Sequence, residues 1–347
     1  MDDQPLRLGF AVKALGEPDL KSNDARRWQS GPHLRESLAY LRVIFDYLAR
    51  HDIAMYRMSS DLAPYATHPD LPQFHNQIRE CAVELRDLGG QAREMRLRLS
   101  FHPSQFIVLN SPNPAVVEKS IWDLTSQAEL LDCMELGPEA VVVIHAGGVY
   151  GDKPSARARW IEAYRRLPEP VHRRLVLEND DIRFSAADVL AIHEATGVPL
   201  IFDNLHFWCN NPEGLDILPT FARFVRTWPD SVRPKMHFSS PRTEFRALSR
   251  KNRTTGKAET TLQPPIWTGH ADFLNPFEFI TLMRGASDLT CDVMLEAKAK
   301  DVALLRLRRD LARYAPDVAA RFGVASEVAH GAEPEEDTFN ELGEGNP

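Results

Sequence analysis

Six side chains of the kind that bind metal ions each stand at the downstream end of a separate apolar run. His102 closes 97–102, His145 closes 141–145, Glu178 closes 175–178, Asp203 closes 200–203, His237 closes 235–237 and Glu296 closes 293–296. Imidazole nitrogens and carboxylate oxygens hold hard and borderline divalent cations. With no paired thiolates, manganese, zinc, magnesium or iron fit better than a soft metal. Glu178, in the middle run, has two oxygens with which to bridge two ions, with His102 and His145 on one side and Asp203, His237 and Glu296 on the other. His206, three residues past Asp203, and His270 are expected to hold a third ion, with Asp272 beside them. Multi-metal clusters suit phosphodiester hydrolysis, because divalent cations acidify water and neutralise charge on the leaving oxygen. One histidine at a strand end is more often a hydrogen-bonded structural residue than a ligand. Burying an unpaired carboxylate is costly, however, and six such residues on separate runs argue for one shared site. Lys235 shares a strand face with His237; a lysine facing cations is costly unless uncharged, so it is expected there as a neutral amine or a carbamate.

These residues meet only if the ends of their strands meet, and the fold that brings parallel strand ends together is the (β/α) barrel. Eight strand candidates can be counted: 6–12, 54–58, 97–101, 140–145, 175–178, 199–203, 235–238 and 292–296. Their apolar residues run together instead of alternating, as in parallel strands buried on both faces. Segments 34–50, 73–88, 115–136, 156–166 and 186–196 carry helical spacing between them, and Ser185 with Asp188 forms a capping-box-like start. The expected architecture is α/β: a single-domain TIM-type (β/α)8 barrel over residues 1–323, with a basic insertion between strands seven and eight. In a barrel that insertion lies over the C-terminal face, where substrates bind.

Bulk properties narrow the class. The hydrophobic share of 43% is that of an ordinary globular protein. No apolar run approaches the roughly 20 residues that cross a bilayer, so no membrane partner is expected. Four cysteines, at 81, 133, 209 and 291, stand far apart and fit reduced thiols. With an acidic N-terminus and no leader-type apolar stretch, a cytoplasmic protein is expected, nucleoid-associated if prokaryotic. The net charge of −8 is concentrated at one end: removing the seven acids of 327–347 leaves −1 for the rest. Residues 324–347 are expected to be a disordered acidic tail. By contrast, 242–257 holds six bases and one acid, a cluster suited to a phosphate backbone.

With these residues in hand, the chain resembles the UV-damage endonuclease family, TIM-barrel repair nucleases related to endonuclease IV. The likeness runs over roughly 5–310 and rests on linked motifs: Arg7 to Phe10, Tyr56 to Ser60, Phe101 to Gln105, Ile144 to Gly148, Leu177 to Asp180, Phe202 to His206, Lys235 to Ser240, Gly269 to Asp272 and Glu296 to Lys298. It implies a nick immediately 5′ to UV photoproducts, with abasic sites as further substrates for some members, leaving 3′-hydroxyl and 5′-phosphate ends. It also implies a manganese set matching His102, His145, Glu178, Asp203, His206, His237, His270 and Glu296. Gln105 and Phe106 match the pair pushed into the duplex at the lesion, where an amide replaces lost pairing and an aromatic fills the opened stack. Two departures stand out. Phe10 and Phe106 occupy positions where a tyrosine is expected, so stacking is kept and a phenol hydrogen bond is lost at both.

The reading that follows is a metal-dependent endonuclease acting on damaged double-stranded DNA as a monomer, with two or three divalent ions, manganese first and zinc or magnesium as alternatives. Glu178, Lys235 and Lys298 are the expected catalytic groups, Lys298 by contact with phosphate. Phe10, Gln105 and Phe106 are expected at the lesion; Arg242, Arg246, Arg250 and Lys251 are expected on the DNA backbone. The rivals are a metal-dependent sugar isomerase or epimerase on the same barrel, which explains neither the basic insertion nor Gln105 and Phe106, and a catalytically silent binder of damaged DNA, which has no need of a buried carboxylate cluster.

Overall fold

The computed structural model describes residues 4–252 and 255–325, so most of the acidic segment, from Ser326 on, lies outside the described residues, as does Arg253. The eight expected strands form a closed parallel barrel: β1 (Leu8–Ala11), β2 (Met55–Arg57), β3 (Arg98–Phe101), β4 (Val141–His145), β5 (Leu175–Glu178), β6 (Leu200–Asp203), β7 (Lys235–Phe238) and, after the insertion, the strand Asp292–Leu295. The insertion contributes β8 (Pro241–Arg242), β9 (Arg246–Lys251), β10 (Ala258–Gln263) and β11 (Ile266–His270), which makes the last barrel strand β12. Each barrel strand is followed by a helix, among them Leu34–Arg50 and Ala186–Thr196, whose bounds match those expected from their apolar spacing. Ser185 and Asp188 make the full reciprocal cap of the second. The expected helix over 73–88 is instead broken at Cys81, into Gln77–Glu80 and Ala82–Glu94.

Strand register decides which residues enter the barrel, because neighbours paired across parallel strands point to the same side. Gly9 pairs with Met55 and Met55 with Arg98, while Ala11 pairs with Arg57 and Arg57 with Ser100. This inward set continues with His145 beside Glu178 and Asp203 beside His237. Gly9 is needed where β1 and β2 close up, since a Cβ there would stand 2.7 Å from the Met55 carbonyl oxygen. The alternate set, with Phe10 beside Tyr56 and Tyr56 beside Leu99, packs outward into the core shared with the helices.

The barrel interior is partly polar. At its base the carboxylate of Asp292 takes hydrogen bonds from Arg98 Nη1 at 2.9 Å, Arg7 Nη1 at 3.3 Å and the Arg7 amide at 2.9 Å. Arg98 and Asp292 have fully buried side chains, and the Arg98 guanidinium also lies 5.5 Å from the centre of the Trp228 ring. Removing one partner of a buried ion pair strands the other. Asp292→Ala is therefore expected to lower the unfolding free energy by about 3–5 kcal/mol, read as an earlier urea midpoint at unchanged m-value; a midpoint equal to wild type would show that water takes over the carboxylate's role.

Candidate metal centre

Eight residues expected as ligands end up around the mouth of the barrel. Glu178 is fully buried at its centre. Its Oε2 lies 3.0 Å from His102 Nε2 and 3.8 Å from His145 Nε2; its Oε1 lies 2.9 Å from His237 Nδ1 and 3.6 Å from His206 Nδ1. Each oxygen thus faces its own pair of histidines. Glu296, one residue past β12, stands 3.4 Å from His237 Nδ1 and 3.8 Å from His270 Nδ1. Three overlapping donor sets have their ligand atoms within 4.8 Å of one another: His102, His145 and Glu178; His102, His237 and Glu296; and Glu178, Asp203, His237 and Glu296. His206 and His270 stand beside these sets, their ring centres 6.1 Å apart.

The fit to cations has a direct observation behind it. Asp203 Oδ1 accepts the His206 amide at 2.8 Å, but Oδ2 is buried with no hydrogen-bond partner, as are His237 Nε2 and His145 Nδ1. Such atoms are costly to leave bare, and the imidazole and carboxylate donors of these residues are of the type that a divalent ion needs. The electrostatics agree. Burial opposes ionisation of Glu178, but the neighbouring histidines hold its carboxyl well below the usual range. Burial pushes Asp203 up to about 8, only partly offset by His206. Burial pulls His237 down to about 4, despite Glu178 and Glu296. His206 is pushed up to about 9, since Asp203, Glu178 and Glu296 outweigh its burial. Without cations, the cluster holds protons where it would otherwise hold positive ions.

Lys235 is fully buried beneath this layer, its Nζ donating to Ser100 Oγ at 3.2 Å. Burial first, then the charges of Arg98 and Arg57, hold its amine well below the usual range, the direction required of a neutral amine at that position.

Other expectations need correction. Phe10 is fully buried and packs edge-on to Tyr56 at 5.4 Å, on the outward face of β1; strand parity turns it to the helices, so it cannot touch DNA. Arg242 is also buried, its Nη2 on Gln263 Oε1 at 3.2 Å and on the Pro264 carbonyl at 3.3 Å; it fastens the insertion and is not free for phosphate. Asp272 is 54% exposed and bound to Arg246 at 2.7 Å. Lys298 stands exposed on the rim beyond the end of β12, near Arg242 and Arg246. Gln105 and Phe106 occupy an exposed turn directly after β3, Phe106 at 78% exposure, so core packing does not account for it. Arg250 and Lys251 are exposed on the β9–β10 ribbon.

Two contributors escaped the sequence reading. Asn179 clasps the Asp203 backbone, accepting its amide at 2.9 Å and donating to its carbonyl at 3.1 Å. Arg57, the last residue of β2, reaches Glu296 Oε1 with Nη1. The signal for Arg57 was its place at a strand end; a search for ligand types passes over a cation.

A family model, UV-endonuclease UvdE, matches residues 34–323. The UV DNA damage endonuclease of Bacillus velezensis is 34% identical over 269 residues, covering 76% of this chain and 77% of its own. That of Bacillus pumilus is 33% identical over 274 residues, with 78% of each chain covered. The crystal structure of SacUVDE matches with a TM-score of 0.73 at 31% identity, over 89% of this chain and 98% of its own. A 3-keto-D-glucoside 4-epimerase from E. coli matches with a TM-score of 0.50 at 12% identity, over 87% of this chain and 99% of its own, a likeness of fold alone.

Because the raised Asp203 and His206 hold protons near neutral pH, cation loading is expected to expel about one to two protons per molecule. Apparent affinity should then rise as pH climbs and those protons leave. Titration calorimetry of Mn²⁺ into metal-free protein, in buffers of differing ionisation enthalpy, measures this; binding without proton release would remove Asp203 and His206 from the ligand set.

Proposed function

This chain belongs to the UV-endonuclease family, and from that premise we propose that it is a metal-dependent repair endonuclease that nicks DNA immediately 5′ of UV photoproducts, both cyclobutane dimers and 6-4 photoproducts, and at abasic sites, leaving 3′-hydroxyl and 5′-phosphate ends. The observation that carries the reading is Glu178, buried between two pairs of histidines with one oxygen turned to each. The ligands are His102, His145, Glu178, Asp203, His206, His237, His270 and Glu296, for two or three ions, manganese first and zinc or magnesium as alternatives. Bound there, divalent ions supply Lewis acidity for the attacking water and the leaving oxygen.

The protein's own groups do the rest. Glu178 stays ionised and keeps four imidazoles aimed at one point. Asn179 holds the backbone of Asp203, fixing the carboxylate's place. Lys235 lies below, where burial opposes its positive charge, as a neutral amine or a carbamate, so the floor of the site does not repel cations. Gln105 and Phe106 form an exposed wedge one turn beyond His102, which ties lesion entry to the strand that bears a ligand. Lesions stack and pair poorly, so opening them costs less than opening normal duplex. The β9–β10 ribbon offers Arg250 and Lys251 to the backbone, with Arg246 tied to Asp272 and Glu244 at its base. Among the described residues no helix is long and apolar enough to cross a membrane. The sugar-isomerase alternative has only likeness of fold in its favour.

A duplex carrying one cyclobutane thymine dimer is expected to be cut once, directly 5′ of the dimer, with Mn²⁺ and not with EDTA, and not at all by Glu178→Ala. Phe106→Ala should lower the single-turnover rate at the dimer roughly 5- to 150-fold, the equivalent of about 1–3 kcal/mol of stacking. Cutting at abasic sites alone would narrow the substrate range, and no cutting of either duplex by metal-loaded protein would sink the reading. Neutralising Arg246, Arg250 and Lys251 together should weaken binding and reduce the dependence of log affinity on log salt by about two. An unchanged salt slope would take the ribbon off the DNA.

A further inference from the structure

The mouth of the barrel is divided by charge. Every expected ligand comes from β3 to β7, β11 or the segments that follow β3, β6 and β12; β1 and β2 supply none. Their side carries Arg57, Lys13 and Lys300 instead. Arg57 points inward in register with Ala11 and Ser100. Of its three nitrogens only Nη1 is engaged, on Glu296; among the described residues the Nε–Nη2 edge has no hydrogen-bond partner, and the side chain keeps 15% exposure to the mouth. Lys300, half-buried with a left-handed φ of 53°, likewise has no hydrogen bond or ion pair from its ammonium among the described residues. Burial and the Arg57 charge hold Lys300 below its usual range, partly offset by Glu296; Glu296, bonded to Arg57, meets only part of the positive charge on this side.

A guanidinium beside a site for divalent cations is repelled by its contents, and one shared carboxylate neutralises only part of that charge. An anion on the open edge removes the conflict. The Nε–Nη2 edge is a planar pair of donors that fits two oxygens of a phosphate. We propose that Arg57, supported by Lys300, is the clamp on the phosphodiester being cut, with the Nε–Nη2 edge on its non-bridging oxygens and Nη1 on Glu296. This rests on the nuclease reading of the site. In the hydrolysis, water oxygen bonds to phosphorus, the bond from phosphorus to the 3′-oxygen breaks, and a proton from the water ends on that oxygen. Negative charge grows on the non-bridging oxygens at the crossing point, where a fixed donor lowers the barrier.

The test compares wild type, Arg57→Gln and Arg57→Lys on two dimer-bearing duplexes, one normal and one with a neutral methylphosphonate at the linkage 5′ of the dimer. Metal content is read by elemental analysis, binding with Ca²⁺-loaded protein, and cutting under single turnover with Mn²⁺. Arg57→Gln should keep its metals, cut the normal duplex about 10²–10³-fold more slowly, and lose the binding penalty that methylphosphonate imposes on wild type. Arg57→Lys should recover part of the rate. An equal methylphosphonate penalty in wild type and Arg57→Gln overturns the clamp. So does loss of metal in step with rate at an unchanged penalty, which would make Arg57 only a prop for Glu296. Wild type that shows the penalty but cuts neither duplex would overturn the nuclease reading and leave the phosphate clamp standing.

Discussion

A carboxylate cut off from water must be met by positive charge or by donors, and the mouth of this barrel is organised around meeting that need at Glu178. Two histidines stand against each of its oxygens, and no single element could provide all four. His102 follows β3, His145 ends β4, His206 opens the helix after β6, and His237 lies within β7. Only strands closed into a ring bring such distant segments to one point. The same crowding then decides the state of the neighbours. With Glu178 already ionised, a second buried carboxylate at Asp203 gains little from ionising, and burial keeps its proton on. His206, beside both, gains one. In the proposed reading, cations held by this donor set would displace those protons.

Charge is also balanced layer by layer along the barrel axis. Asp292 and Arg98 neutralise each other at the base, Lys235 occupies the middle without an acidic hydrogen-bond partner, and Glu178 and Glu296 lie above it. An ammonium at Lys235 would stabilise the acids but compete with the ions they are to bind. A buried amine held low avoids that competition, and Ser100 satisfies one of its hydrogen-bonding groups at no cost in charge. The polar interior is therefore consistent from base to mouth, and the apolar packing that holds the barrel closed lies mainly between strands and helices, with a smaller inner cluster of Val141, Val143, Val176, Ile201, Trp228 and Val232.

Much of this was legible in the chain because buried parallel strands leave an unmistakable trace: a short apolar run ended by a polar residue that has no reason to be there. Six of the eight barrel strands carry a ligand-type residue at or beside their downstream end, while β1, Leu-Gly-Phe-Ala, runs on into Val12 and β2 ends on Arg57. The failures have a common origin in side-chain direction. Phe10 lies in a motif that pointed to the site, yet one step of strand parity turns it to the helices; Arg57, opposite its neighbour Ala11, takes the inward place. Arg242 sits in the basic run but in β8, paired with β11, where Gln263 and Pro264 of the insertion take up its side chain. The ribbon β9–β10 was read only as a basic segment because it is exposed on both faces. Ala258 to Gln263 alternates nothing, so a two-residue period had no contrast to reveal it.

What remains is the division of the mouth into a sector that offers lone pairs and a sector that offers N–H groups. Metal-assisted hydrolysis of a phosphodiester would need both at once, since ions must be held and the phosphate must be drawn towards them against its own solvation. A site of carboxylates and histidines alone would hold ions well but, before they load, would repel the DNA strand it must receive. In the proposed reading, Arg57 and Lys300 would offset that repulsion at the point of closest approach, and Arg250 and Lys251 would do so at longer range, where salt screens the attraction. Because Arg57 is tied to Glu296, the two sectors are not independent: the group that faces the phosphate also fixes a ligand, so a shift of either is felt by both. The register that pairs Arg57 with Ala11 and Ser100 thus sets the distance between the cation sector and the anion sector, and strand pairing becomes a determinant of the chemistry.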